Sequence, residues 1–456
     1  MKVLFVNPPV IRSQTSGPEN DFELDGLLFN RWLRKLPGAD KAWRASGLGG
    51  TIRYGVRAGS RWPWTMDVPH GGPPYPFFMG YAASLVQQEG HEVDIIDAVA
   101  EAIYDYNSFL RRVQNAKPDL IIQECATPTI DIDLWLARKM AQIADLAVAG
   151  PHFSTSEIIS GVQKDHPYIK YILQGEYIYG AQELVRSMKP GVYAARIVTD
   201  LDQIPFPFRA YPAAAKYFDP TMPTAKPQLQ IYGSKGCPFK CSFCVWPQAM
   251  FQKKVTLRKP ESVAREIREA MTLHKYKSIF FDDDTFNMGP DRISRLCDEL
   301  RRIGLPWTMM GRIDISPDWL YEKMVDSGCV GMRFGIETFN LDVLARVKKG
   351  IERVDFRAAL ERIVKRFPQV MLHITMMCDM PGQTEEIHAE DMSIIHSMGF
   401  TETNMHRSYQ LSHCSPFPGT ALYDEMIAEK GHAAMDDFKK YDGGQKTLMA
   451  VDTDSP

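Results

Sequence analysis

Apolar and polar residues alternate along this chain in two periods. Residues 2–6 form a short buried-strand pattern, and helical spacing follows at 77–89. The strand period then recurs at 92–97, 120–123, 146–150 and 171–174, with helical spacing at 107–116, 131–142, 155–165 and 181–188 between and after them. Five strands alternating with helices predict an α/β domain with a doubly wound, Rossmann-like parallel sheet over 1–198, whose ligand lies outside the carboxyl ends of the strands. Between the first strand and the first helix, residues 10–76 have no period. That is far longer than the roughly 2–6 residues of an ordinary strand–helix loop. The stretch holds Gly47-Leu48-Gly49-Gly50 and four tryptophans, Trp32, Trp43, Trp62 and Trp64, and is expected to carry function, a partner contact or a surface wrap. Residues 199–227 are proline-rich and read as a linker. The alternation then restarts, with strands at 229–233, 278–281, 307–310, 330–336, 370–377 and 404–409. Helical patterns occupy 261–274, 292–303, 319–327, 341–347, 354–367 and 385–398. Six strand–helix repeats predict a partial (β/α)6 barrel over 228–430, reactive at the carboxyl ends of its strands, followed by a polar tail over 431–456.

Charge narrows the possible partners. In 456 residues, 53 Lys+Arg face 56 Asp+Glu, a formal charge of −3, which excludes a dominantly basic nucleic-acid surface. No apolar run approaches the ~18 residues of a membrane span. The start, MKVLFVNPP, reads as a strand rather than a signal peptide, so a cytoplasmic protein is expected.

Five of the eight cysteines (Cys125, Cys297, Cys329, Cys378 and Cys414) stand singly, where a free cysteine acts as a small buried hydrophobe. The other three crowd into Cys237-Pro-Phe-Lys-Cys241-Ser-Phe-Cys244, directly after the first barrel strand. A tight cluster in a large chain without a secretion signal suggests a metal or redox site. Zinc ribbons use paired CxxC knuckles, and no second pair occurs; a four-cysteine ferredoxin pattern lacks its fourth residue. Three ligands on a four-iron cluster leave one iron open. In this the sequence resembles the radical S-adenosylmethionine (SAM) superfamily.

The resemblance extends along the barrel. Phe280-Phe281-Asp282-Asp283-Asp284-Thr285-Phe286 sits where that family approaches the SAM amino group, although Asp284 or Thr285 also suits a helix cap. Arg312, in Gly311-Arg312-Ile313-Asp314, suits the SAM carboxylate or a bond within the barrel rim. Gly335-Ile336-Glu337-Thr338 resembles the Gly-Ile-Glu motif whose Glu contacts SAM. Met380-Pro381-Gly382-Gln383-Thr384 and Pro416-Phe417-Pro418-Gly419-Thr420 are similar to the family's later turns. The resemblance thus implies Cys237, Cys241 and Cys244 as cluster ligands and Phe243, Asp282, Asp283, Arg312 and Glu337 as SAM contacts.

In the first half, Ala126-Thr127-Pro128-Thr129, Gly150-Pro151-His152 and Gly175-Glu176-Tyr177 resemble the cobalamin-binding domain that precedes many such barrels, and Asp200-Leu201-Asp202 with Ile204-Pro205-Phe206-Pro207 is similar to its linker. Thr127, Thr129, Gly150, His152, Gly175, Glu176 and Tyr177 are its implied contacts, with the glycines allowing close backbone approach. An Asp-x-His-x-x-Gly motif is absent, which implies cobalamin without a histidine on cobalt; His152 suits a rim contact, and Trp62 or Trp64 could cover that face. Cys244-Val245-Trp246-Pro247-Gln248 also resembles branch members linked to hopanoid modification. The function implied is methylation of an unactivated carbon of a small molecule, with a 4Fe–4S cluster, SAM, cobalamin and a reductant such as flavodoxin or ferredoxin. Ring contraction, cyclisation or oxidation with the same cofactors is the alternative, and a cobalamin carrier with a vestigial barrel is a third. Met309, Met310, Met332, Met376 and Met377, near strand ends, suit an adaptable cavity or plain core.

Overall fold

The structure, a computed structural model, describes residues 1–9, 53–55, 65–67, 73–101, 103, 106–350, 354–441 and 443. Trp32, Trp43, Trp62, Trp64 and the Gly47-Leu48-Gly49-Gly50 run lie outside the described residues. The chain divides into two compact units, Met1–Val198 with Pro205–Lys216, and Thr199–Ile204 with Tyr217–Pro456.

In the first unit β1 (Lys2–Asn7) precedes β2 (Arg53–Gly55) and β3 (Thr65–Asp67), which pair antiparallel with each other. There follow α1 (Phe77–Gln88), β4 (Glu92–Asp97), α2 (Ala98–Glu101), α3 (Tyr106–Ala116) and β5 (Leu120–Glu124). The unit continues with α4 (Ile130–Met140), β6 (Asp145–Gly150), α5 (Ser156–Asp165), β7 (Tyr171–Gln174), α6 (Ile178–Ser187) and β8 (Gly191–Tyr193). The main sheet is parallel throughout, in the order β4-β1-β5-β6-β7-β8. Val3, Leu4, Phe5 and Val6 are all buried, so a strand covered on both faces reads as an unbroken apolar run rather than an alternation. Helix α3 instead buries one stripe, Tyr106, Phe109 and Val113, at helical spacing. The chain leaves β1 on one side for β4 and returns past it to β5. The strand order therefore reverses at β1, and the crevice beside the carboxyl ends of β1 and β5 is the switch point of the sheet. The sequence pattern gives five of these six strands; β8, three residues at the edge, is too short to show a period.

The second unit runs β9 (Gln228–Ile231), β10 (Ser234–Lys235), β11 (Thr256–Leu257), α7 (Pro260–Leu273), β12 (Ser278–Phe281), α8 (Pro290–Ile303), β13 (Trp307–Gly311) and α9 (Asp318–Asp326). It continues with β14 (Cys329–Glu337), α10 (Leu341–Arg346), α11 (Phe356–Arg366), β15 (Met371–Cys378), α12 (Glu385–Ser397), β16 (Arg407–His413) and α13 (Ala421–Lys430). Its large sheet is parallel and in chain order, β9-β12-β13-β14-β15-β16, with β9 and β16 as its two edges. Sequential order without reversal is that of a barrel wall, here of six strands.

The two faces of that wall differ. Leu229, Ile231, Ile279, Phe281, Trp307, Met309, Met332, Phe334, Ile336, Leu372, Ile374 and Met376 join apolar residues of the helices in one core. The intervening positions include the buried polar residues Gln230, Thr308, Arg333 and His373. Three of the five methionines considered for a cavity, Met309, Met332 and Met376, are therefore core, and Met377 belongs to a smaller apolar cluster. Met310 accepts a contact from Arg333 Nη1 at 3.7 Å.

Three further expectations change. The last strand begins at Arg407 rather than near 404, because Asn404 makes a turn in which its Oδ1 accepts from His406 N at 3.0 Å and its Nδ2 donates to Gly399 O at 3.0 Å. The 199–227 stretch is divided between the units and buries Tyr211, Tyr217 and Met222, the last in space left by Gly331. The polar tail still contributes core: Met435 and Tyr441 are buried against Phe417, Leu422 and Tyr423.

Arg333 and Asp219 form an ion pair at 2.7 Å with both side chains 2% exposed. Removing one partner of such a pair leaves a buried charge. Asp219→Ala should lower stability of the second unit by about 3–5 kcal/mol, read as a shift in the urea midpoint.

Candidate functional site

The three clustered cysteines lie on the long connection between β10 and β11, two strands that pair antiparallel and close its neck. The end of β12 holds the start of this loop, residue by residue. Asp283 accepts from Gly233 N at 2.8 Å and from Ser234 Oγ at 2.5 Å. Asp284 Oδ2 accepts from Gly236 N at 2.7 Å, and Thr285 Oγ1 donates to Cys237 Sγ at 3.3 Å. Gly236, at φ +84°, stands where a Cβ would come within 2.1 Å of Lys254 O, so only glycine lets the chain enter the loop at this point.

Gln248 ties the far side of the loop. Its Nε2 lies 2.9, 3.1 and 3.0 Å from the carbonyls of Cys241, Ser242 and Cys244, and its Oε1 accepts from Ala421 N at 2.9 Å at the start of α13. Ser242 N donates to Val347 O at 2.8 Å, and Leu422 N donates to Ser242 O at 3.0 Å. Burial pushes all three thiols above the ordinary cysteine range, most strongly Cys244. The Thr285 hydroxyl opposes this at Cys237, and Lys349 and Arg312 oppose it at Cys241. Three half-buried free thiols on one clamped loop suit thiolate ligation, since a bound metal centre supplies the positive charge that keeps them ionised. Phe243 packs against the apolar cluster that contains Val245, Met377 and Leu422.

The neighbouring strand ends add two ion pairs. Arg312 binds Asp314 through both arms, at 3.0 and 2.8 Å, donates to Lys349 O at 3.3 Å, and lies 3.6 Å from the Phe239 ring centroid. The rim bond, one of its two expected roles, is thus present. Glu337 ends β14 at φ +68°, an uncommon conformation for a residue with a Cβ, and its Oε1 accepts from Lys349 Nζ at 2.7 Å. Lys349 also donates to Gly335 O at 2.7 Å. Asp282 is fully buried at the end of β12. The helix-cap reading of Asp284 and Thr285 gives way to the loop contacts above. Sequence reasoning missed Lys349 and Gln248. Lys348-Lys349-Gly350 looks like a solvated pair before a turn, and no period marks a glutamine that serves backbone carbonyls.

In the first unit the expected contacts gather at one sheet edge, just beyond the carboxyl ends of β5, β6 and β7. Thr127 and Thr129 form a buried turn in which the Thr129 hydroxyl donates to Asp133 Oδ2 at 2.8 Å. Gly150, at φ +124°, would place a Cβ 2.1 Å from Cys125 O, so the neighbouring strand already demands this glycine. Gly175 also takes a positive φ, +57°. Glu176 is buried and accepts from Val198 N at 3.2 Å. Tyr177 packs edge-on to Phe78 at 6.0 Å; burial, with the negative charge of Glu124 nearby, pushes its hydroxyl well above the usual range. Burial lowers His152 to about 3, so its imidazole is neutral. Sequence reasoning passed over Asp97, which accepts from Asn7 Nδ2 at 3.1 Å at the end of β1 and caps α2.

A second site stands apart by its chemistry: Cys378, Asp379 and His413 converge at the ends of β15 and β16, so Cys378 is not the isolated apolar cysteine its sequence context suggests. Among the described residues no helix is long and apolar enough to cross a membrane.

A six-stranded parallel wall with a three-cysteine loop at the end of its first strand defines the class. Residues 231–393 match the Radical SAM superfamily, and this part of the chain is a radical SAM domain. The chain is 26% identical over 395 residues to an uncharacterized methyltransferase of Pyrococcus horikoshii, covering 80% of this chain and 81% of that protein. It is 26% identical over 287 residues to the bacteriochlorophyllide d C-12(1)-methyltransferase of Chlorobaculum tepidum, covering 59% of each. Among solved structures it resembles the radical S-adenosylmethionine methyltransferase TsrM of Kitasatospora setae, determined with cobalamin and a [4Fe-4S] cluster bound. The TM-score is 0.58 at 15% identity, covering 78% of this chain and 76% of that one.

Two expectations follow. Gly236→Ala should reduce iron retained after anaerobic reconstitution several-fold while all three cysteines remain, measured as iron per chain. Below pH ~6.5 an unfolded chain takes up a proton that buried His152 refuses until about pH 3, so the group's depressed pKa removes stability as pH falls. The slope is about 1.4 kcal/mol per pH unit, and urea midpoints of His152→Gln should fall less steeply between pH 6 and 4 than those of the unmodified protein.

Proposed function

We propose that this chain is a cobalamin-dependent radical SAM methyltransferase acting on an unactivated carbon of a small molecule. The observation that carries the reading is the clamped CxxxCxxC loop, in which Asp283, Asp284 and Thr285 fix Gly233, Gly236 and Cys237 in turn. Cys237, Cys241 and Cys244 would hold a [4Fe–4S] cluster, with SAM on its open iron. When bound, the cluster and SAM would supply the radical chemistry that removes a substrate hydrogen, and cobalamin would supply the methyl group. The Thr285 hydroxyl lies 3.3 Å from Cys237 sulfur, shared with Asp284 O at 2.7 Å, and a hydrogen bond there would adjust the reduction potential of a cluster held on that cysteine. Arg312 and Lys349 place positive charge beside Cys241, while Asp314 and Glu337 balance it.

The first unit supports cobalamin binding through its sheet edge. Three successive turns, 126–129, 150–153 and 175–177, lie at the carboxyl ends of a parallel sheet whose order reverses at β1. His152 is 2% exposed and packs edge-on to Phe153, which suits a structural residue better than a cobalt ligand. The names of the relatives, two methyltransferases and TsrM with cobalamin and cluster bound, support the same class. A flavodoxin or ferredoxin would provide electrons in the cytoplasm.

The test is product analysis with methyl-labelled SAM and a low-mass extract from a strain lacking the gene. Labelled methyl in a product, together with S-adenosylhomocysteine and 5′-deoxyadenosine, is the expected outcome, and Cys241→Ala should abolish all three. Formation of 5′-deoxyadenosine without S-adenosylhomocysteine points instead to ring contraction, cyclisation or oxidation.

A further inference from the structure

Cys378 and His413 are the last residues of β15 and β16 and partners in the parallel register, so their side chains leave the sheet side by side. Asp379 comes next. In a continued strand it would point to the opposite face, but φ +58° turns it back. Its Oδ2 lies 2.5 Å from His413 Nδ1, and Cys378 Sγ lies 3.1 Å from the same nitrogen. The sulfur and the carboxylate are 3.9 Å apart. The His413 and Asp379 side chains are 24% and 25% exposed, so the cluster is open to solvent on one side.

The shared nitrogen is informative. In a Cys–His–acid nucleophile system the imidazole divides its two nitrogens, one to the thiol and one to the carboxylate. Here both partners approach Nδ1, and one nitrogen carries at most one proton. The arrangement is three donor atoms turned toward a common point. We propose that Cys378, Asp379 and His413 form a second metal site, for zinc, separate from the cysteine loop. A thiolate, an imidazole nitrogen and a carboxylate oxygen are all zinc ligands, with bonds of about 2.0–2.3 Å. Tetrahedral placement around such bonds separates the donors by about 3.4–3.6 Å, within an ångström of each observed spacing. Three protein ligands leave a fourth position for water or for a heteroatom of a small molecule. The site lies at the carboxyl ends of two barrel strands, the rim where such a fold carries its chemistry.

The proposal does not depend on methyl transfer, and metal analysis tests it directly. The full-length protein, reconstituted anaerobically with iron and sulfide, is equilibrated with zinc chloride, desalted, and assayed for zinc and iron by mass spectrometry. The unmodified chain should retain about one zinc. The Cys237→Ala/Cys241→Ala/Cys244→Ala protein should keep that zinc while losing its iron, which separates the two sites. Cys378→Ser and His413→Ala should each drop zinc at least five-fold with iron unchanged; retained iron shows that the unit is folded. Cys414→Ala, at the buried neighbouring position, should keep zinc. Replacing zinc by Co(II) should give a thiolate-to-cobalt charge-transfer band that Cys378→Ser removes. No retained zinc in the unmodified protein, zinc undiminished in Cys378→Ser and His413→Ala, or zinc lost from the triple variant would each overturn the assignment.

Discussion

The candidate site depends on one constraint: a long loop carrying three thiols must be held rigidly at both its ends and its middle. Ordering a 20-residue connection between β10 and β11 costs on the order of 1–2 kcal/mol per residue, more than the internal bonds of Gln248 to three loop carbonyls offset. The end of β12 supplies the hold. Asp283, Asp284 and Thr285 step along the neighbouring chain in order, to Gly233 and Ser234, then Gly236, then Cys237. Two parallel strands that end together can make such a ladder because their next few residues continue side by side. On the opposite side Gln248, itself in the loop, gathers three loop carbonyls and accepts from Ala421 N at the start of α13, while Val347 at the end of α10 and Leu422 of α13 bond Ser242. Helix α13 is thus part of the site although it bears none of the proposed ligands.

The same strands must also bury polar groups. Their helix-facing positions form a continuous apolar core, whereas the alternate positions carry Gln230, Thr308, Arg333 and His373. A buried guanidinium is tolerable only with a partner, and Asp219 reaches it from the stretch that precedes β9. Arg258 repeats the device near the start of α7, bonded to Asp202 at 3.0 Å and Glu266 at 2.5 Å with its side chain fully buried. Both arginines take a partner from the proline-rich 199–227 stretch. A stretch without periodicity therefore has to be packed, since its carboxylates neutralise charges within the second unit.

Long periodic elements were legible in the sequence because burial on one or both faces writes directly into residue order. Residues 92–97, 171–174 and 278–281 have the strand bounds their pattern suggests, and the two parallel sheets follow from alternation with helices. The cysteine loop was legible as well, since its spacing is local. The short strands β8, β10 and β11 were not, for two or three residues cannot show a period. Helix α13 buries only Leu422, Tyr423 and Met426, too few positions to stand out beside the Pro-Phe-Pro-Gly turn before it. Lys349 and Gln248 were missed because their roles arise from tertiary approach to Glu337 and to loop carbonyls. Gly150 shows the reverse case. A glycine suited to ligand approach is already required by Cys125 O, so its residue type alone does not indicate a ligand.

Position relative to strand ends explains where the chemistry-bearing residues collect. Asp282, Arg312, Glu337, Cys378 and His413 all lie within one residue of the end of their strand, and the cysteine loop follows the first strand after a two-residue hairpin arm. Strand interiors are occupied already, their helix-facing positions by core and their other face by buried polar groups that include the Arg333–Asp219 pair. At the ends the backbone is free to turn. Glu337 and Asp379 both use a left-handed φ there, at +68° and +58°, which redirects side chains that strand alternation would send elsewhere. In each case a specific partner offsets that strained turn: Lys349 for Glu337, His413 for Asp379. The barrel wall sets which residues meet, and these two turned carboxylates set which of them face one another.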